Sequence, residues 1–280
     1  MAAYANPNAL VETDWVAQHG RDAGLRLVEV DVDTASYDTG HVAGAVGWNW
    51  QTQLSDQLRR DIASRDQWAA LLGASGVSNG TKVVLYGDNN NWFAAFAYWL
   101  FKLYGHRDVA LMNGGKVKWA KEGRPLVTDP PAITPATYAA ASPDVSLRAR
   151  QRDVEGVMGR AGSVLIDVRS PAEFRGEVLA PPGLPETAQR AGHIPGAQSV
   201  PWASSVNPDT GAFKPVDELR QIYGGKGASA DQDVIAYCRI GERSSHTWFV
   251  LKELLGLPKV RNYDGSWTEW GSMIGVPIEK

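Results

Sequence analysis

Short runs of apolar, often β-branched residues alternate with longer runs at helical spacing along this chain. The first half holds "LRLVEVDV" (25–32), "TKVVLYG" (81–87) and "DVALMNG" (108–114). The second half holds "SVLIDVR" (163–169), "DVIAYC" (233–238) and "KVRNYDG" (259–265). Near-continuous apolar runs of this length predict strands buried on both faces. Between them, "SRDQWAALLGASG", "WFAAFAYWLFKLYG", "VDELRQIYGGKG" and "SHTWFVLKELLG" predict helices, and the last is stopped by Gly256. The alternation predicts an α/β fold with a mainly parallel sheet, where ligands bind beyond the carboxyl ends of the strands.

The pattern occurs twice. "LVEVDV" (27–32) matches "LIDVRS" (165–170) at an offset of 138, and "GHVAGAV" (40–46) matches "GHIPGAQ" (192–198) at 152. "VVLYG" (83–87) matches "VIAYC" (234–238), and "NGGKVKW" (113–119) matches "DGSWTEW" (264–270), both at 151. Four blocks in one order predict two copies of one domain. The jump in offset predicts about 14 extra residues in the second copy, a long loop within "PAEFRGEVLAPPGLPETAQRA" (171–191). The Pro- and Ala-rich "PLVTDPPAITPATYAAASPD" (125–144) reads as an extended linker. The expected division is a first domain at 1–126, a linker at 127–149 and a second domain at 150–280.

Composition narrows the function classes. With 28 basic and 31 acidic residues the net charge is −3, which gives no broad footprint for nucleic acid or a membrane surface. No apolar run is long enough for a membrane span. The N-terminal segment lacks the basic and apolar regions of a secretory signal, and one cysteine makes no internal disulfide, so a cytoplasmic protein is expected. No spaced His/Cys/Asp set suggests a metal and no phosphate loop suggests a nucleotide, so no cofactor is expected.

The one cysteine, Cys238, ends a predicted buried strand. Six residues, Cys238, Arg239, Ile240, Gly241, Glu242 and Arg243, separate that strand from the next helix, which Ser244 or Ser245 is expected to cap. Such a loop curls its backbone N–H groups inward as an anion nest. A thiol there is expected to lose its proton easily, favoured by the helix N-terminus and two arginines. A peptidase, a phosphatase, a redox enzyme and a sulfur carrier all use such a thiolate. No resolving cysteine is present for redox exchange, and His246 follows too closely to serve readily as a base. A persulfide needs only one cysteine.

These residues resemble a tandem-domain rhodanese, a thiosulfate sulfurtransferase, of the actinobacterial type with a "CRIGERSSHTWFVL" loop and helix. The C-terminal signature is complete in "VRNYDGSWTEW" (260–270), and the motifs run in family order over nearly the whole chain. An aromatic residue before "H-hydrophobic-P-G-A" is divided between the copies: "YDTGHVAGA" keeps Tyr37, whereas "QRAGHIPGA" keeps Pro195 with Gln189 in the aromatic position. The resemblance implies two rhodanese-like domains, each with a mainly parallel five-stranded sheet flanked by helices. It makes Cys238 the persulfide-forming nucleophile and the first copy, with Gly87 in its place, non-catalytic. Arg239, Ile240, Gly241, Glu242, Arg243 and Ser244 would bind the donor, with Arg190 and Arg175 from the insertion. The implied donor is thiosulfate, with 3-mercaptopyruvate as the alternative. The acceptor is cyanide, a small thiol or a sulfur-accepting protein, the last making the chain a persulfide relay. Related phosphatases place five residues between cysteine and arginine, and here four separate Cys238 from Arg243. Asp167 with Arg169 reads as a structural ion pair or turn contact, His41 and His193, at equivalent places in the two copies, as structural residues, and Asp264, Gly265 and Trp267 as a turn supporting the cysteine loop. Glu242 would oppose an anionic donor unless its side chain points away.

Overall fold

The computed structural model describes residues 3–183 and 187–280, so residues 184–186 of the predicted insertion lie outside it. The chain divides into two compact units. Among the described residues, the first is Asn8–Asp144 together with Asn207–Phe213; the second is Val145–Val206 and Lys214–Lys280 with residues 3–7.

The first unit contains strands β1 (Leu10–Val11), β2 (Leu25–Glu29), β3 (Val46–Gly47), a small hairpin β4 (Ser55–Asp56) and β5 (Asp61–Ile62), then β6 (Lys82–Tyr86) and β7 (Val109–Met112). The second contains β8 (Arg148–Ala149), β9 (Ser163–Asp167), β10 (Gln198–Ser199), β11 (Asp233–Tyr237) and β12 (Val260–Tyr263). Among the described residues each unit has one five-stranded sheet, ordered β1-β7-β6-β2-β3 and β8-β12-β11-β9-β10. Every pairing within these two sheets is parallel. The two orders are the same order, so the repeat in sequence is a repeat in topology.

Burial explains the patterns. Val83 to Tyr86 of β6 and Val234 to Tyr237 of β11 are fully buried, as central strands covered on both faces must be. The helix Trp92–Leu103 is apolar all round because all but two of its residues are buried. The segment 128–144 runs without helix or strand, and its backbone is tied to the first unit through Ala136 N–H to Gly73 O and Ala141 N–H to Tyr104 O.

Two details depart from the sequence reading. The helix after Cys238 begins at Glu242, with Gly241 as its N-cap, so Ser244 and Ser245 lie inside it and cap nothing. Gly241 has φ 103°, a left-handed value that turns the strand directly into the helix. The aromatic partner of the second copy's histidine is also not Gln189. Phe174 stacks on His193 with ring centroids 3.6 Å apart, as Tyr37 stacks on His41 at 3.9 Å. The insertion falls between Phe174 and His193, so in sequence the ring is far from its partner.

Candidate active site

Cys238 is the first residue after β11 and is fully buried. Its backbone is fixed by the turn after β12. Trp267 N–H donates to Cys238 O and Thr268 N–H to Arg239 O, both at 3.0 Å. Ser266 Oγ accepts the Cys238 N–H at 3.0 Å and donates to Tyr263 O at 2.6 Å. Ser266 holds φ 52°, and this residue went unremarked in the sequence because nothing there marks where its hydroxyl points. Gly241 is required twice: a Cβ on it would lie 2.8 Å from Asp264 Cβ, in addition to its positive φ. Asp264 itself is held by Arg148 through two hydrogen bonds of 2.8 and 2.7 Å. The turn 264–268 therefore supports the loop.

The thiol sits within a curl of donors. Gly241 N–H donates to Cys238 Sγ at 3.2 Å and Ser244 Oγ at 3.5 Å. Glu242 points inward: its Oε2 accepts from the Cys238 thiol at 3.2 Å and from Ile240 N–H at 3.2 Å. Its Oε1 lies 3.5 Å from Arg239 Nη2 and 3.6 Å from Arg243 Nε. Arg243 grips Glu173 in a bidentate pair at 2.9 and 3.0 Å, and all four of these charged side chains are buried.

The electrostatic outcome reverses the expectation of an easily lost proton. Burial pushes the Cys238 thiol up, and the Glu242 carboxylate adds to this; Arg243 and the Ser244 hydrogen bonds act in the opposite direction without overcoming them. Glu173, although buried, is held below the usual carboxylate range by Arg243. Arg239 of the loop and Arg243 of the helix thus face two carboxylates.

The remaining candidates lie elsewhere. Arg190 donates to the carbonyls of Gly271, Val276, Trp270 and Met273, so it clamps the segment after the 264–268 turn. Arg175 is exposed and paired with Glu177 at 2.7 Å. Neither guanidinium is brought to the cysteine loop. His246 is buried with its ring edge-on to Trp202, and burial pushes it down to about 3, so it is neutral at any working pH. Asp167 and Arg169 form a fully buried pair, with the guanidinium 4.6 Å over the Trp267 ring. Nothing among the described residues groups three or more potential metal ligands. Among the described residues no helix is long and apolar enough to cross a membrane.

The corresponding place in the first unit is closed. A Cβ on Gly87 would lie 2.1 Å from Val30 O. Asn91 Oδ1 accepts the Gly87 N–H at 3.0 Å, and its Nδ2 donates to Met112 O at 2.8 Å. Asn91 thus bridges the same two backbone groups that Ser266 bridges in the second unit, but from the other side of the loop.

The chain is similar to known proteins. Residues 12–122 and 151–273 each match the model of the Rhodanese-like domain. A protein of Thermus thermophilus named "Sulfur carrier protein TtuD" is 53% identical over 99% of this chain and 98% of its own. One of Haloferax volcanii named "Putative thiosulfate sulfurtransferase" is 53% identical over 98% and 96%. Among solved structures, SseA of Escherichia coli, a 3-mercaptopyruvate sulfotransferase, superposes with a TM-score of 0.78 at 26% identity, covering 92% of this chain and 98% of that one. An EanB variant in a cysteine-persulfide state has a TM-score of 0.87 over 100% of this chain and 72% of its own, at 23% identity, a likeness of fold alone.

Proposed function

The chain belongs to the rhodanese family, and from that premise we propose that it is a thiosulfate sulfurtransferase working through a persulfide on Cys238. The observation that carries this reading is Sγ at the end of β11, facing the Gly241 N–H at 3.2 Å and the Ser244 hydroxyl at 3.5 Å. Donors so placed stabilise negative charge on sulfur without reorganising during the reaction.

Transfer is ping-pong. Cys238 attacks the outer sulfur of thiosulfate, the S–S bond breaks, and its electron pair leaves with sulfite. The persulfide then lies in the loop formed by Arg239, Ile240, Gly241, Glu242, Arg243 and Ser244. Cyanide or a thiol attacks the terminal sulfur and regenerates Cys238. This reading assigns no part to Arg190 and Arg175, whose guanidinium groups have partners elsewhere. Incubation with thiosulfate is expected to add the mass of one sulfur atom to the intact protein and none to Cys238→Ser. A wild-type protein whose mass does not change contradicts the reading.

A second reading, a relay that hands sulfur to a partner protein, is favoured by the carrier name of the Thermus relative. Slow turnover with cyanide and small thiols, but rapid discharge of the persulfidated chain onto a protein thiol or thiocarboxylate, supports the relay. A higher kcat/KM with 3-mercaptopyruvate than with thiosulfate replaces the donor in either reading. No nucleic-acid or membrane partner is invoked.

A further inference from the structure

We propose that Glu242 is a catalytic residue that takes the proton of the Cys238 thiol as sulfur is transferred and returns it when the persulfide is discharged. This deepens the sulfurtransferase reading and rests on it. The geometry is direct: Glu242 Oε2 lies 3.2 Å from Cys238 Sγ, with the thiol as donor. The carboxylate is buried, so it exchanges protons with the thiol rather than with bulk water. Ile240 N–H holds the same oxygen at 3.2 Å, and Arg239 and Arg243 lie 3.5 and 3.6 Å from the other, so the acceptor is pre-aimed.

Charge accounting explains why the site needs such an acceptor. Burial and the neighbouring carboxylate keep the resting sulfur protonated, so the attacking thiol must lose its proton during the reaction. The groups facing the couple are Arg239 of the loop, Arg243 of the helix, Glu173 of the helix Pro171–Phe174, and Asp264 with its partner Arg148. His246, one turn along the same helix, is neutral. The pair Asp167–Arg169 cancels within itself on the neighbouring strand. Before transfer, two arginines balance Glu173 and Glu242 beside a neutral thiol.

The step balances as follows. The Cys238 S–H bond breaks and its proton bonds to Glu242 Oε2. The sulfur's electron pair forms the new S–S bond to the outer sulfur of thiosulfate, and the old S–S pair departs with sulfite. The products are a persulfide anion and a neutral carboxylic acid, so the two arginines now balance Glu173 and the persulfide. The charge buried in the protein is therefore the same before thiosulfate binds and after sulfite has left, so the loaded site needs no further counter-ion. In the discharge step the acceptor takes the terminal sulfur as a neutral atom, Cys238 leaves as a thiolate, and Glu242 returns the proton.

Infrared difference spectroscopy of the persulfidated minus the resting full-length protein tests this. The expected spectrum loses the Cys238 S–H band and gains the C=O band of a protonated carboxyl, which is absent in Glu242→Gln. After subtraction of the protons taken up by the released sulfite, an indicator dye is expected to register no proton released by the wild type and one per sulfur by Glu242→Gln. Single-turnover persulfidation of that variant is expected to be slower by roughly 10²-fold at neutral pH, the deficit closing as pH rises. A loaded wild type without the carboxyl band, or a variant that loads as fast as wild type at neutral pH, overturns the proposal. If the variant does not fold, the wild-type spectrum and proton count decide alone. If thiosulfate adds no sulfur, inorganic polysulfide is used for loading: the thiosulfate reading then fails, and the carboxyl band still decides this one. A chain that accepts sulfur from neither overturns both.

Discussion

Cys238 combines a reactive position with an unreactive resting state. Burial and the Glu242 carboxylate both favour the protonated thiol. The thiolate therefore appears only as pH rises beyond the ordinary range for cysteine, and alkylation follows the thiolate. Iodoacetamide is expected to modify native Cys238 more slowly than an exposed cysteine at pH 8, by about tenfold for each unit of displacement. The rate should still be climbing where an exposed thiol has levelled off. A pH–rate curve that levels at or below the usual cysteine value contradicts this electrostatic picture. The sequence set Arg239 and Arg243 beside Cys238, but it did not reveal that Glu173 and Glu242 face those arginines. Glu173 lies 70 residues from Arg243 in sequence, and no local pattern predicts a pair of that separation.

At the scale of elements, one repeated connection holds two different loops. The N–H that follows the central strand and the carbonyl that ends its neighbour are bridged by Ser266 in one unit and by Asn91 in the other. Removing the bridge leaves two buried backbone groups unsatisfied, at about 1–3 kcal/mol for each. Ser266→Ala is expected to lower stability by that order and to slow persulfidation. Asn91→Ala is expected to lower stability and leave the rate per folded molecule unchanged. Equal effects of both variants on that rate would contradict the assignment. The paired sheets were legible in advance because strand cores repeat at nearly constant offsets and apolar runs report burial. The start of the helix at Glu242 was not, because Gly241 replaces a side-chain cap with a left-handed turn that propensity does not show. The ring on His193 was hidden for a different reason: the insertion left Phe174 on its own helix and moved the histidine away in sequence, while the stack itself was kept.

Across the whole molecule, the two units solve one buried electrostatic problem differently. At the strand end where the second unit pairs Asp167 with Arg169, the first has Glu29 and Asp31. Its cation comes instead from Lys116, 2.5 Å from Glu29 and at the repeat position of Trp267. Asp31 is left over, 3.8 Å from Lys116. Burial first, then its neighbour Glu29, raise it to about 8. Since its folded value lies above the ordinary 3.8, the folded state holds this proton more tightly than the unfolded one. Its contribution is fully present below that ordinary value and is lost as pH rises through about 8. Asp31→Asn keeps the acceptor for Asp88 N–H and does not titrate. It is expected to raise Tm at pH 9, by about 2–4 °C for each kcal/mol recovered, with the gain shrinking toward pH 4. A gain independent of pH would mean that Asp31 is not the titrating group.

Gly87 carries a consequence for the history of the molecule. The main chain of Val30 occupies the place a side chain at position 87 would need. Introducing a thiol there by one substitution would create a collision before it created a nucleophile, and Asn91 would still hold the Gly87 N–H. The absence of a side chain at position 87 is therefore built into the backbone of the first unit, and admitting a thiol there would require several coordinated changes. Selection acting one residue at a time has no short path to a second reactive centre at this position.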